Sequence, residues 1–358
     1  MKRLILIALL GVLAPMIGAR AADIENVVLI SWDGLRWQEF FGGADARLVF
    51  PDGKVDEDSA KAKAAFWAKT PEERRENLMP WIWGTLAKEG QIYGDAEIGS
   101  PALVTNGFNF SYPGYSEILT GITDPTLNSN AKRNNPNVTV LEWLNGQPGF
   151  TGSVAAFCSW DVFPFIINAE RSGIPVNAGW VPLTVSNDAE HLRFLNQVAE
   201  ETPHVWDGIR FDFTTFHGAV EYVKAKQPRV LYVGFGETDD WAHDKRYDMY
   251  IDAAHRTDAY MRRLWELLQS MPQYAGKTAL IVTTDHGRGD TKEDWTDHGD
   301  KIPDSARIWT ILYGPGIPAR GLVKDTPTTQ SQVAATIASL LGKDFRADFP
   351  AAAAPLQP

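Results

Sequence analysis

The chain has 358 residues, of which 44% are hydrophobic, and its 45 acidic side chains outnumber 34 basic ones for a formal net charge of −11. That acidic excess argues against attraction to nucleic acid backbones, and no nucleic acid duplex is expected as a partner. One cysteine, Cys158, rules out an internal disulfide, so the fold rests on its core, for which the apolar content and 13 tryptophans give ample material.

Met1-Lys2-Arg3, the apolar run Leu4–Leu13 and Ala19-Arg20-Ala21 before Ala22 have the pattern of an export signal removed after residue 21. The run falls short of the ~20 residues that span a bilayer, so a periplasmic or secreted protein with no integral membrane anchor is expected. Strand-like runs follow at Asn26–Trp32, Ser153–Cys158, Val230–Phe235, Ala279–Thr283 and Ile308–Tyr313. Helical segments alternate with them. Thr70-Pro71-Glu72-Glu73 combines a capping box with proline at the first helical position, and Gly90 marks the stop. Thr139 to Glu142 repeats the capping pattern before Gly146, and Tyr247–Ser270 has helical apolar spacing. Such alternation predicts an α/β fold with a central, mostly parallel sheet and helices on both faces, forming one catalytic domain over 22–345. Two stretches near 42–69 and 159–205, rich in Pro, Gly, Asn and aromatics, read as cap insertions that roof the functional site. The low-complexity tail, 346–358, is expected to be mobile.

The chemically capable residues cluster behind these strands. Asp33 follows the first strand, Asp239 comes four residues after Phe235, and Asp285 two after Thr283. In open α/β sheets, sites form beyond the carboxyl ends of the strands. Asp239 and His243, four apart, share a helix face, while Asp285 and His286 can meet one ion only where the strand has ended, as Gly287-Arg288-Gly289 implies. His298 lies in a polar loop that gives it little packing role, whereas His191, His204, His217 and His255 read as core or solvated side chains. Three Asp and three His can hold two divalent cations side by side, and a hydroxyl set against both completes the equipment for in-line displacement at phosphorus.

The ordered set Asp33-Gly34, Ser111 to Gly121 (SYPGYSEILTG), Asp239xxxHis243, Asp285-His286-Gly287 and His298 resembles the alkaline phosphatase superfamily, closest to its nucleotide pyrophosphatase/phosphodiesterase branch. The likeness runs from residue 26 to about 315. It implies an alkaline-phosphatase-like fold and a two-metal site, with Asp239, His243 and His298 on one ion and Asp33, Asp285, His286 and the Ser111 oxygen on the other. The implied cofactors are two divalent ions, zinc by the usual choice and manganese with the same donors. Ser111 is the implied nucleophile, forming a phosphoseryl intermediate, and Asn130 the implied contact to a phosphoryl oxygen of a small-molecule phosphate ester, with a turn-forming Asn that touches no substrate as the other reading.

Departures from the branch narrow the reading. Its PNH after the nucleophile is Pro113-Gly114-Tyr115 here, Ser stands for the usual Thr, and Ser116 is a rival nucleophile. A sulfatase would need an arginine where Tyr115 stands, and phosphoryl transferases with such centres usually carry several membrane helices. A binding protein that had lost turnover would usually lack a ligand, and the set is complete. The choice between monoester and diester stays open, because five candidate cations (Arg36, Lys132, Arg133, Arg288 and Lys301) have no position in the sequence alone. Trp160-Asp161 and the stretch 132–137 are candidate pocket lining.

Overall fold

The computed structural model describes residues 24–50, 53 and 57–357, so the export-signal pattern of residues 1–21 lies outside the described residues. The strands are β1 (Asn26–Trp32), β2 (Gln91–Tyr93), β3 (Ala102–Leu103), β4 (Val154–Cys158), β5 (Val176–Ala178), β6 (Val230–Phe235), β7 (Thr278–Thr284), β8 (Arg307–Ile308), β9 (Thr310–Tyr313), β10 (Gly321–Leu322) and β11 (Thr328–Thr329). Eight of them form one sheet in the order β10-β2-β9-β7-β1-β6-β4-β5, and β11-β3-β8 form a small second sheet. Within the large sheet only β9 runs antiparallel to its neighbours, β2 and β7. The expected mostly parallel α/β architecture is what the chain adopts.

β1 lies between β6 and β7 and is wholly buried, which is why it reads as an unbroken apolar run rather than an alternating one. Its alternate side chains nevertheless serve two cores. Val28, Ile30 and Trp32 pack with the helices Trp37–Gly42, Pro71–Leu78 and Tyr247–Ser270. Val27 and Leu29 pack with the helices Ser111–Thr120, Val140–Asn145 and Gln332–Leu340 on the opposite face.

Several expectations shift in detail. The strand expected over Ile308–Tyr313 breaks at Trp309, whose buried ring stacks on Phe40 at 4.0 Å and meets Trp32 edge-on at 5.7 Å. Turning that indole inward interrupts the ladder and hands Arg307–Ile308 to the second sheet. The helix expected to run to Gly90 ends at Leu78 and resumes as a wide π turn, Ile82–Leu86. Asp258 accepts hydrogen bonds from the Trp81 and Ile82 amides where the chain re-enters that turn.

The tail expected to be mobile is packed on the fold. Ala352 and Leu356 are buried in the core that holds the Gln332–Leu340 helix, and the Leu356 amide donates to Thr336 Oγ1 at 2.9 Å. Within 42–69, the helix Glu57–Phe66 lies against Tyr247–Ser270 and Pro71–Leu78. Residues 159–205 include the edge strand β5, so part of that stretch belongs to the sheet itself. No helix among the described residues is long and apolar enough to cross a membrane.

Candidate active site

Parallel strands deliver Asp33, Asp239 and Asp285 to one edge of the sheet, just past the ends of β1, β6 and β7. Gly34 makes the approach possible. It adopts φ +59°, its amide donates to Asp285 Oδ1 at 3.1 Å, and a Cβ there would lie 2.7 Å from Asp239 Oδ1. The Asp33 carbonyl is fixed in turn by the Thr238 hydroxyl.

His286 stands at the centre of the cluster. Its Nε2 lies 3.3 Å from Asp33 Oδ1, 3.4 Å from Asp285 Oδ2 and 3.8 Å from Asp239 Oδ1. Asp239 Oδ2 is 3.1 Å from His243 Nε2, and His243 Nε2 is 3.1 Å from His298 Nε2. Asp33, Asp285 and His286 converge as one candidate cation group, and Asp239, His286 and His298 as a second. All six sequence-predicted Asp and His ligands therefore meet. The imidazole of His286 reaches both groups, a sharing that the sequence did not predict.

The donor set fits divalent cations. Asp33 Oδ1 and Asp285 Oδ2 are buried oxygens without a hydrogen-bond partner among the described residues. Burial, with the charge of neighbouring carboxylates, pushes the Asp33 and Asp285 carboxyls well above their usual range. A bound cation reverses that penalty. Burial also pulls His286 down to about 4 and His298 to about 2, leaving neutral imidazoles with free lone pairs. Burial raises Asp239 too, but the Arg288 guanidinium beside it and His243 hold it well below the usual carboxylate range.

Ser111 opens the helix Ser111–Thr120, so its hydroxyl sits at the positive end of the helix dipole, and its Oγ lies 3.4 Å from His286 Nε2. Ser116 faces away and accepts from Asn135 Nδ2 at 3.0 Å. The altered turn now has a physical account. A Cβ at Gly114 would lie 2.5 Å from the Asp285 carbonyl oxygen, and the Tyr115 hydroxyl donates to Asp33 Oδ2 at 2.9 Å. Upstream, Glu117 gathers the Thr105 and Asn106 amides and their side chains, fixing the loop that delivers Ser111. Asn130 is exposed, and its Oδ1 accepts from the Tyr112 amide at 3.0 Å, which places it one residue from Ser111.

Sequence reasoning did not assign Tyr115, Thr238 or Glu117. Their roles depend on contacts 82, 205 and 12 residues away, which no local pattern signals. Of the five candidate cations, Arg36 is wholly buried against Glu39 and the Gly289 carbonyl, and Arg288 against Asp239 and the Thr296 carbonyl. Lys132 pairs with Asp161 at 2.6 Å.

The family described as type I phosphodiesterase / nucleotide pyrophosphatase matches residues 58–343 of this sequence. The chain belongs to that family. The matched range contains Ser111, Asp239, His243, Asp285, His286 and His298, while Asp33 precedes it. This phosphodiesterase-family chain is also 31% identical over 103 residues to GPI ethanolamine phosphate transferase 1 of Emericella nidulans, a match spanning 22% of this chain and only 11% of that protein. Among solved structures, Ps i-CgsB in complex with k-i-k-neocarrahexaose has a TM-score of 0.55 at 16% identity, covering 93% of this chain and 75% of that one. The lipoteichoic acid synthase LtaP from Listeria monocytogenes has a TM-score of 0.56 at 12% identity, with 91% and 73% covered. The phosphonate monoester hydrolase SpPMH from Silicibacter pomeroyi gives 0.51 at 14% identity, with 92% and 77% covered. Such low identities carry the fold alone, which the chain also shares with a protein in the alkaline phosphatase superfamily from Vibrio parahaemolyticus.

Proposed function

We propose that this protein is an exported, metal-dependent phosphodiesterase that uses Ser111 as its nucleophile. The observation that carries the reading is the Ser111 hydroxyl at a helix N-terminus, facing a buried Asp33–Asp285–His286 group whose two carboxylate oxygens lack partners. Asp33, Asp285, His286 and Ser111 would hold one ion and Asp239, His243 and His298 the other, with zinc suited to the mixed nitrogen and oxygen donors. Bound divalent ions supply Lewis-acid stabilisation of charge on phosphoryl oxygens.

The chain's own residues then act in sequence. Ser111 Oγ bonds to phosphorus, the bond to one alcohol breaks, and that alcohol leaves with a proton. Water next bonds to phosphorus, the Ser111 Oγ–phosphorus bond breaks, and Oγ regains its proton. Asn130, tethered to the Tyr112 amide, is suited to donate its amide N–H to a phosphoryl oxygen. The helix dipole behind Ser111 favours the developing negative charge.

A diester is preferred to a monoester for an electrostatic reason. A dianionic phosphoryl group calls for a guanidinium or ammonium held at the site. Of the five candidates, Arg36 and Arg288 face buried carboxylates, Lys132 pairs with Asp161, and Arg133 and Lys301 are exposed side chains with no carboxylate holding them in place among the described residues. Tyr115, at the position where a sulfatase needs arginine, is spent on Asp33. The test compares bis-p-nitrophenyl phosphate with p-nitrophenyl phosphate, with zinc and with chelator. Zinc-dependent preference for the diester is expected. Preference for the monoester, or activity that survives chelation, would overturn the reading.

A further inference from the structure

A cavity of about 420 Å³ lies beyond the ends of β4 and β5, walled by Trp180, Asn196, Glu200 and His204 and floored by Arg210 and Thr214. It shares the carboxyl edge of the sheet with the candidate active site. β5 stands two strands from β6 in the sheet, about 10 Å at ordinary strand spacing. Asp161 packs against the backbone at this edge, so closely that a Cβ at Gly179 would lie 2.5 Å from its Cβ and one at Gly208 3.1 Å from its Oδ1.

Arg210 is the anomaly. Arg36, Arg210 and Arg288 are among the largest fully buried side chains, and the other two each face a carboxylate in contact. Among the described residues Arg210 donates only to neutral acceptors: Thr215 Oγ1 at 2.8 Å, Asn177 Oδ1 at 2.6 Å and the Asn177 carbonyl at 3.3 Å. Asp212, close enough to influence it, spends its own carboxylate on the Ser159 hydroxyl and on the Gly236 and Glu237 amides. Burial lowers the guanidinium to about 10, which leaves it cationic at neutral pH. A buried cation with no contacting anion among the described residues, and N–H groups to spare, is costly unless something fills the cavity beside it.

Two further features describe the occupant. Thr214 lines the same cavity, and its buried hydroxyl has no hydrogen-bond partner among the described residues. Trp180 stacks on His204 at 3.6 Å and 10°, and the nearby Val181 and Val205 are 56% and 49% exposed, giving the mouth a flat, apolar rim. Glu200 on the wall disfavours a second negative charge near the entrance.

We propose that this cavity is an anion-binding site, taking one phosphate or carboxylate group on Arg210 and Thr214 with an attached flat or apolar body against Trp180. The anion is either the far end of the substrate or a separate small ligand. Only the first of these sources rests on the phosphodiesterase reading.

The probe is p-bromobenzoate, followed by bromine anomalous scattering in crystals of the zinc-loaded full chain and by calorimetric titration in solution. A bromine peak in the cavity is expected, with affinity at least tenfold weaker in Arg210→Gln. Because Arg210 is structurally bonded, Thr214→Val is the second variant: it removes an unpartnered hydroxyl at nearly constant volume and is expected to weaken binding severalfold. Absence of bromine from the cavity at saturating probe, or unchanged affinity in both variants, overturns the proposal. Aryl phosphodiesters with and without a distal carboxylate separate the sources. A tenfold or greater preference in kcat/KM for the carboxylate, reduced in Thr214→Val, assigns the site to the substrate. Equal turnover with probe binding retained assigns it to a separate ligand. A protein that hydrolyses no diester yet shows the bromine peak refutes the proposed function and leaves the anion site standing.

Discussion

Tyr115 contributes the hydrogen bond that orients Asp33, and its burial among carboxylates keeps the phenol protonated and therefore a donor. Partners behind a metal ligand typically change metal affinity or activity 10- to 100-fold when removed. Tyr115→Phe is therefore expected to weaken zinc retention by about tenfold, read by competition with a chelator, while the fold melts within a few degrees of wild type. The two serines give a sharper contrast. Ser111→Ala should lower diester turnover by at least about a thousandfold, as loss of a nucleophile does, with an unchanged circular dichroism spectrum. Ser116→Ala loses one buried hydrogen bond, from Asn135 Nδ2, and should keep turnover within a fewfold of wild type. Comparable loss in both variants would count against Ser111. The candidate ligands were legible because chemistry constrains residue type: Asp33, Asp239, His243, Asp285, His286 and His298 appear in order. Tyr115 was not legible, since in the sequence it is simply a departure from a motif.

At the scale of elements, legibility followed local chemistry. The capping box at Thr70 forms as expected, with the Glu73 amide on Thr70 Oγ1 and the Thr70 amide on the Glu73 carboxylate. Thr139 likewise caps Val140–Asn145, and the Tyr247–Ser270 helix has the bounds its apolar spacing set. The break of β8 from β9 and the π turn at Ile82–Leu86 were not legible, because each is decided by a distant partner, Phe40 stacked on Trp309 and Asp258 bonded to the turn. Two substitutions test this division. Thr70→Ala should cost about 1 kcal/mol, the usual worth of such a cap, seen as a lower urea midpoint with activity intact. Gly114→Ala should do the reverse of sparing activity. Its new Cβ would meet the Asp285 carbonyl oxygen at 2.5 Å, so the helix that carries Ser111 must shift. A stability loss of about 2 kcal/mol is expected from such overpacking, together with a fall in turnover larger than any change in KM.

Across the whole molecule, the central strands converge on a burden of buried negative charge. Asp33, Asp239 and Asp285 come together from three strand ends, and Arg288 contacts Asp239 while lowering Asp33 only in part against its burial. Metal-free protein must carry the remainder, so chelation should lower the melting temperature as well as abolish turnover. The pH dependence follows from the direction of each shift. Burial raises Asp33 and Asp285 in the folded chain, so their ionised forms destabilise the metal-free fold at every pH above those raised values. That penalty fades as pH falls through the folded values, because protonation removes the charge. Asp239 raises His243, whose contribution is complete below the ordinary histidine range and is lost as pH rises through its folded value, so it acts in the same direction. Asp212, raised by burial to about 7, and Asp258, raised by burial to about 6, lie outside the cluster and contribute alike with and without metal. The melting temperature of the zinc-loaded protein should therefore exceed that of the chelated protein most at pH 8, and the gap should narrow steadily toward pH 5. Acid also strips cations from histidine and carboxylate donors, which reinforces the same trend. Differential scanning calorimetry of both forms across that range checks it, and a gap that widens on acidification would show that these carboxylates are not the cation's ligands.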